Sequence, residues 1–395
     1  MKKMNKFATA FVAVAMMATL APAASAETVK EDAAVSKKAE KGFATDRILV
    51  KMKAGKDVTG VSYKVNGKAK KLGKSDWQVI EVANGTAEEA LAALQNDADV
   101  ESVELDYVMS ALVTTPNDPR YGAQWHLPKV QANSAWDITK GTTARTIAII
   151  DTGVDMNHAD IKSKLVAGYD FVNNDTSAHD DHGHGTHCAG IAAGLTNNAL
   201  DAAGVDWNAR VMPIKVLSAS GSGYTSDIIE GVYWAVDHGA HVLSMSLGGG
   251  AFTQSFQDAI NYAWNNGRIV VAAAGNSNTS AKSYPAAYAN VVAVASTTST
   301  DTRSSFSNYG TWVDIAAPGS SIEALRLGGG TTVMSGTSMA TPVVAGVMSL
   351  AWSKNTGYSN STVVNRVLST ADAISGTGTY WLNGRVNAYR AVNGF

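Results

Sequence analysis

Three residues far apart in the chain carry side chains whose chemistries would complement one another if the fold brought them together. Asp151 directly follows the apolar run 146–150, which places a carboxylate at the end of a buried strand. An aspartate in that position also commonly caps a turn. The segment HDDHGHGTHCAG, 179–190, holds four histidines, His179, His182, His184 and His187, in nine positions. His184 and His187 lie three apart and would share a helix face, as zinc ligands can. The HExxH arrangement is absent, however, and the glycine-rich spacing suits close backbone approach better. Alternatively one imidazole is a general base, able to take a proton from a hydroxyl near neutral pH if a carboxylate fixes its tautomer. The third residue is Ser338, at the start of the small, apolar stretch GTSMATPVVAG, 336–346. A serine there is ordinarily an N-cap, yet a nucleophile at a helix start would also find free N–H groups and a favourable dipole for an oxyanion. Asn276, in AAAGN after the apolar run from Ile269, could supply a further donor to that oxyanion.

For these groups to meet, distant segments must converge on one edge. Apolar runs at 146–150, 211–217, 241–247, 269–274 and 291–295 alternate with helical patterns at 227–237 and 256–265. Continuous apolar strands separated by helices predict an α/β fold of three layers, a mainly parallel sheet with helices on both faces. Ligands of such sheets bind beyond the carboxyl ends of the strands, where Asp151 and Asn276 both fall.

Residues 27–112 are of a different kind. They contain 13 Lys/Arg plus 15 Asp/Glu, 28 in 86 positions, against 16 plus 19, 35 in 283, for 113–395. Strands are predicted at 47–53, 77–82 and 100–107, with a helix at 86–96 opened by Thr86 and Glu89 as a capping box. This predicts a small α+β unit. Residues 1–26 join a basic start (Lys2, Lys3, Lys6) to an apolar run, 7–20, and to Ala24-Ser25-Ala26, the make-up of a secretory signal peptide. The expected organisation is a signal at 1–26, a leader domain at 27–112 and a principal domain at 113–395.

A net charge of −2 gives no footprint for nucleic acid. No later run reaches the roughly 18 apolar residues of a membrane span. Cys188 is the sole cysteine, so no internal disulfide can form. The expectation is a soluble, secreted monomer whose ruggedness has another source, such as bound metal ions.

In order along the chain, DTGVD, HGHGTHCAG, AAAGN and GTSMATP resemble the motifs of the subtilisin-like serine proteases, most closely the thermitase and proteinase K side of that family. The resemblance covers nearly all of 113–395. It implies that Asp151 orients the base, His184 is the base, Ser338 attacks the peptide carbonyl, and Asn276 with the Ser338 N–H holds the oxyanion. By the same resemblance His187 packs internally, Cys188 lies near enough to His184 for a bulky thiol reagent to inhibit, and Val343 departs from the histidine usual in the family.

Gly221, Ser222 and Gly223, with Ser246, Leu247, Gly248 and Gly249, resemble the two segments that grip an extended peptide by main-chain pairing, which implies broad specificity. Ala273, Gly275 and Ser283 would line the pocket for the residue before the scissile bond, and their small size would admit large apolar side chains. The leader resembles the family's propeptide, a folding chaperone and inhibitor that would be removed by autocleavage after Leu112, with Met109 also on the nonprime side. The mature amino terminus would then lie near Val113. A strong calcium site is implied at Asp118, Asp160 and the Asn198 side chain, with carbonyls of Thr196, Leu200 and Ala202. A second site near Asp175, Asp180 and Asp181 resembles thermitase less closely. A plain Asn- and Ala-rich turn at 196–204 is the alternative. A secreted, calcium-stabilised serine endopeptidase acting on polypeptides and made as a zymogen is the expected function. Its rivals are a catalytically silent relative that only binds, and an esterase, which the absence of a Gly-x-Ser-x-Gly elbow disfavours.

Overall fold

The structure, a computed structural model, describes residues 42–109 and 113–395. The signal-like segment 1–26 and the expected cleavage point at Leu112 lie outside the described residues. The chain divides into two compact units, Met1–Leu112 and Val113–Phe395.

The first unit runs β1 (Phe43–Met52), α1 (Thr59–Lys64), β2 (Lys68–Lys71), β3 (Trp77–Glu81), α2 (Ala87–Leu94) and β4 (Val100–Tyr107). Its antiparallel sheet has the order β2-β3-β1-β4. Alternation along β1 turns Ile48, Val50 and Met52 onto one face, where they meet Ile80 and Leu94 in a small core. The capping box does not form. The Thr86 hydroxyl donates to the Ala83 carbonyl at 2.7 Å, and no side chain caps α2. That local bond of a turn competes with the cap, and Glu88 and Glu89 favour the helix start through its dipole.

The second unit is built on a seven-stranded, all-parallel sheet. Its strands are β5 (Thr146–Asp151), β6 (Tyr169–Asp170), β7 (Arg210–Lys215), β8 (Val242–Met245), β9 (Ile269–Ala273), β10 (Val291–Thr297) and β11 (Ile315–Pro318), in the order β11-β10-β9-β8-β5-β7-β6. Successive residues of each strand enter opposite layers, which is why the strands read as unbroken apolar runs. Ile147, Ile149, Val211 and Val271 join one core with α3 (His184–Ala193) and α4 (Thr337–Trp352). Ala148, Ile150, Ile214 and Val270 join the other with α5 (Thr225–Asp237) and α6 (Gln254–Asn265). The three-layer expectation is met. Every residue of α4 is buried except Ser338, so the whole apolar helix serves as an anchor for one surfacing side chain. Val343 sits fully buried among aliphatic neighbours, where no polar partner is needed.

Candidate active site

The chain crosses from β7 on one side of β5 to β8 on the other, and the crevice beyond these carboxyl ends collects the candidate residues. Asp151 closes β5 and is fully buried. Its Oδ1 accepts from the Thr152 N–H and from His184 Nδ1, each at 2.7 Å. His184 opens α3 behind Gly183, whose φ of +98° is a left-handed value that favours glycine. A β-carbon on Gly185 would collide with the Gly153 carbonyl, so glycine there lets helix and strand turn touch.

Ser338 is the second residue of α4, and the N-cap position is Gly336. The capping role expected of an ordinary helix-start serine is therefore not the one observed: Ser338 Oγ donates to the Ser246 carbonyl at 3.1 Å. In return Ser246 Oγ donates to the Ser338 carbonyl at 2.7 Å, tying the end of β8 to the start of α4. The Ser338 N–H belongs to the first helical turn, whose donors lack intrahelical acceptors. Asn276 lies just beyond β9, and its Oδ1 accepts from Thr337 N at 2.8 Å and Thr337 Oγ1 at 3.0 Å. With its oxygen so held, the amide leaves its Nδ2 donors for the cleft.

His184, Ser338 and Asn276 line one cleft of about 730 Å³, with Asp151 behind His184. Gly221, Ser222, Gly223, Ser246, Leu247, Gly248, Ala273, Gly275 and Ser283 line it as well. Burial opposes the imidazolium of His184, but the adjacent Asp151 carboxylate overrides it and raises the His184 pKa well above its ordinary value. Burial raises Cys188, which lies 4.0 Å from His184 Nδ1 and 3.4 Å from the Ser338 carbonyl. It is therefore a neutral thiol at the back of the site.

The zinc alternative fails on geometry. His187 Nε2 faces the carbonyls of Ile322 and Thr332, at 3.1 and 3.2 Å, and burial lowers its pKa to about 4. His179 Nδ1 accepts from the Met156 N–H, and His182 lies in the cleft, so the four rings do not converge. Asp151, His184 and Cys188 do cluster, but Nδ1 is committed to the carboxylate.

A family model described as the subtilase family matches residues 142–388, which spans the sheet and every residue of this cleft. The chain belongs to the subtilase family. A second model, the fervidolysin N-terminal prodomain, matches residues 29–106 of this subtilase. The chain is 52% identical over 279 residues to thermitase of Thermoactinomyces vulgaris, covering 70% of this chain and 99% of that protein. It is 45% identical over 343 residues to a thermophilic serine proteinase of Bacillus sp. strain AK1, covering 87% and 83%. Among solved structures, one described as proteases from Pseudoalteromonas arctica superposes with a TM-score of 0.66 at 33% identity, covering 71% of this chain and 99% of that one. This subtilase is a serine endopeptidase with an N-terminal prodomain.

Of the residues implied for calcium, Asp118, Asp160, Asn198 and Ala202 are joined by hydrogen bonds. The Asp118 carboxylate accepts from the N–H groups of Asn197 and Asn198, at 2.8 and 3.3 Å. Asp160 accepts from Asn198 Nδ2 at 2.7 Å and from the Ala202 N–H at 3.1 Å. Burial raises Asp160 to about 6, as expected of a carboxylate without a close cationic partner. No donor among the described residues takes the carbonyls of Thr196, Leu200 or Ala202. The carboxylates of the second expected site are engaged within the fold, Asp175 accepting from the Ser177 N–H at 2.7 Å. Asp180 has both oxygens filled by internal donors, and Asp181 pairs with Lys215 at 2.6 Å.

Proposed function

We propose that this subtilase is a secreted endopeptidase of broad specificity that cleaves through an acyl-enzyme, with Asp151, His184, Ser338 and Asn276 in the roles their positions suit. The observation that carries the assignment is the 2.7 Å bond from His184 to the buried Asp151, at a cleft shared with the one surfacing residue of α4. Ser338 Oγ attacks the peptide carbonyl while its proton passes to His184 Nε2. Asp151 holds the ring by Nδ1 and stabilises the imidazolium. The oxyanion receives hydrogen bonds from Asn276 Nδ2 and the Ser338 N–H. Collapse breaks the C–N bond, His184 gives its proton to the leaving amine, and water then hydrolyses the ester by the same steps. The apo hydroxyl points to the Ser246 carbonyl, and such hydrogen bonds commonly realign when substrate binds.

The backbone segments at 221–223 and 246–249 supply main-chain pairing, which reads extended shape and not sequence. Ala273, Gly275 and Ser283 leave room for a large apolar side chain before the scissile bond. The leader acts as the chain's own inhibitor until cleavage after Leu112. The all-oxygen donors at Asp118, Asp160, Asn198, Thr196, Leu200 and Ala202 fit calcium, a hard cation, and neutralising buried Asp160 would stabilise this loop. The enzyme is a monomer that binds no nucleic acid.

Casein clearance by culture supernatant, blocked by a serine-directed phosphonate, tests the activity. Its absence from Ser338→Ala protein that folds normally tests the nucleophile. Sequencing of the mature amino terminus tests the processing point, and a start more than about five residues from Val113 overturns that register.

A further inference from the structure

The Asp151–His184 bond joins the end of β5 to the start of α3, and a second set of hydrogen bonds runs beside it. Thr152, the residue after Asp151, donates through Oγ1 to Asp180 Oδ1 at 2.8 Å and accepts at the same oxygen from the Gly185 N–H at 2.9 Å. Asp180 Oδ1 also accepts from the N–H groups of His182 and Gly183, at 3.0 and 2.9 Å. Its Oδ2 accepts from Thr186 N at 2.9 Å and Thr186 Oγ1 at 2.6 Å. One carboxylate, 1% exposed, thus takes five donors. Four come from the loop and first turn that carry His184, and the fifth comes from the strand end that carries Asp151.

We propose that Asp180 is a positioning residue of the reaction, which through Thr152 fixes the register between the carboxylate of Asp151 and the imidazole of His184. The chemistry of the donor set supports this. A carboxylate is acceptor-only and can satisfy all five donors, whereas any amide in its place must point an NH₂ group at one set of them. Burial opposes its charge, but the bonds from Thr186, Gly183 and His182 outweigh it and lower the Asp180 pKa, so Asp180 is ionised at neutral pH. Asp180 does not touch substrate or reacting atoms. It acts by holding the helix start against the strand end, where a small relative displacement would lengthen the Nδ1–Oδ1 bond and release the His184 pKa.

The titratable groups facing the His184 ring are Asp151 from β5, Cys188 from its own helix and His182 from the preceding loop, whose ring centroid lies 6.3 Å away. Of these, the Asp151 carboxylate does most to raise the base. The acid limb of kcat/KM therefore reports the geometry of that one bond.

The inference rests on His184 being the base, and the test separates the two. In full-length chains that process and are counted by active-site titration, Asp180→Asn is expected to lower kcat roughly tenfold or more with KM nearly unchanged, and to move the acid limb down by about half a pH unit or more. Thr152→Val should reproduce both effects, Thr152→Ser should restore the wild-type values, and combining Asp180→Asn with Thr152→Val should add little further loss. A kcat per titrated site and an acid limb that stay at wild-type values, with only the melting temperature lowered, overturn the proposal. Should Asp180→Asn not fold, the Thr152 pair carries the same readouts. His184→Ala that keeps kcat would refute the base assignment itself. His184→Ala without activity, beside Asp180→Asn with wild-type kcat and pH profile, would refute the positioning role alone.

Discussion

At the residue scale the site is a chain of dependence in which each reactive atom is held by a neighbour that does no chemistry. His184 must be neutral to accept the serine proton, and Asp151 raises its pKa. Activity therefore rises with pH, as kcat/KM climbs through the point where the imidazolium deprotonates. Asp151→Asn removes the charge that raises the base, so the acid limb should move to lower pH, towards the ordinary value near 6.5. The same change should lower kcat by about 10⁴, because the ring loses its tautomer and its counter-charge. A pH–rate profile on titrated enzyme checks both. Asn276→Ala should cost roughly 10²–10³ in kcat with little change in KM, a magnitude typical of this family's oxyanion donors, read in steady-state kinetics on a peptide amide. That Asp151, His184, Asn276 and Ser338 should gather at one cleft was legible in the sequence because each sits beside an apolar run, three of them close to glycines, Gly153, Gly185 and Gly275, that close approach requires. Thr337, which clamps the Asn276 oxygen, was not, since a threonine beside a serine at a helix start carries no mark of what it will face.

At the scale of elements the glycines fix how closely segments approach. A β-carbon on Gly346 of α4 would lie 2.7 Å from Val205 Cβ and 2.8 Å from the Ala192 carbonyl of α3. Gly346→Ala must push α4, the nucleophile's helix, away from α3, the base's helix. The expected result is a loss of about 1–3 kcal/mol, the usual cost of overpacking, measured by denaturant unfolding of the Ser338→Ala protein. The central strands and flanking helices were readable because burial on two faces demands unbroken apolar runs and burial on one face demands a helical period. The short or polar elements were not. β6 has two residues, and β11 is the edge strand IAAP. The hairpin Ile322–Leu325 with Thr331–Met334 is closed through three consecutive glycines with positive φ, Gly328 to Gly330. Their pairing is dictated by neighbours and not by their own pattern. The Thr86–Glu89 capping box shows the converse failure, a correct local motif overruled by a competing turn.

At the scale of the whole molecule, a domain of 283 residues without a disulfide stands on packing and on whatever binds it. If calcium occupies the Asp118–Asp160 loop, a concentration one hundred times its Kd adds about 2.7 kcal/mol. Chelation should then lower the melting temperature of inactive Ser338→Ala protein by roughly 5–10 °C, and an unchanged melting curve removes the site. Acid acts through different groups. Burial in the protein interior lowers the pKa of His126 to about 3 and that of His187 to about 4, against roughly 6.5 unfolded. The unfolded chain therefore binds two protons that the folded chain refuses. Since stability falls wherever the unfolded state holds more protons, it is lost as pH falls through 6.5 and goes on falling until the folded pKa values are reached. Each histidine contributes a slope of up to about 1.4 kcal/mol per pH unit in that window. Replacing His126 by Gln removes one titrating group, so the variant's stability should fall less steeply between about pH 6 and pH 4 than the parent's. Parallel denaturant titrations of the two chains in the Ser338→Ala background read the difference directly, and equal slopes would mean that His126 becomes charged without unfolding the domain.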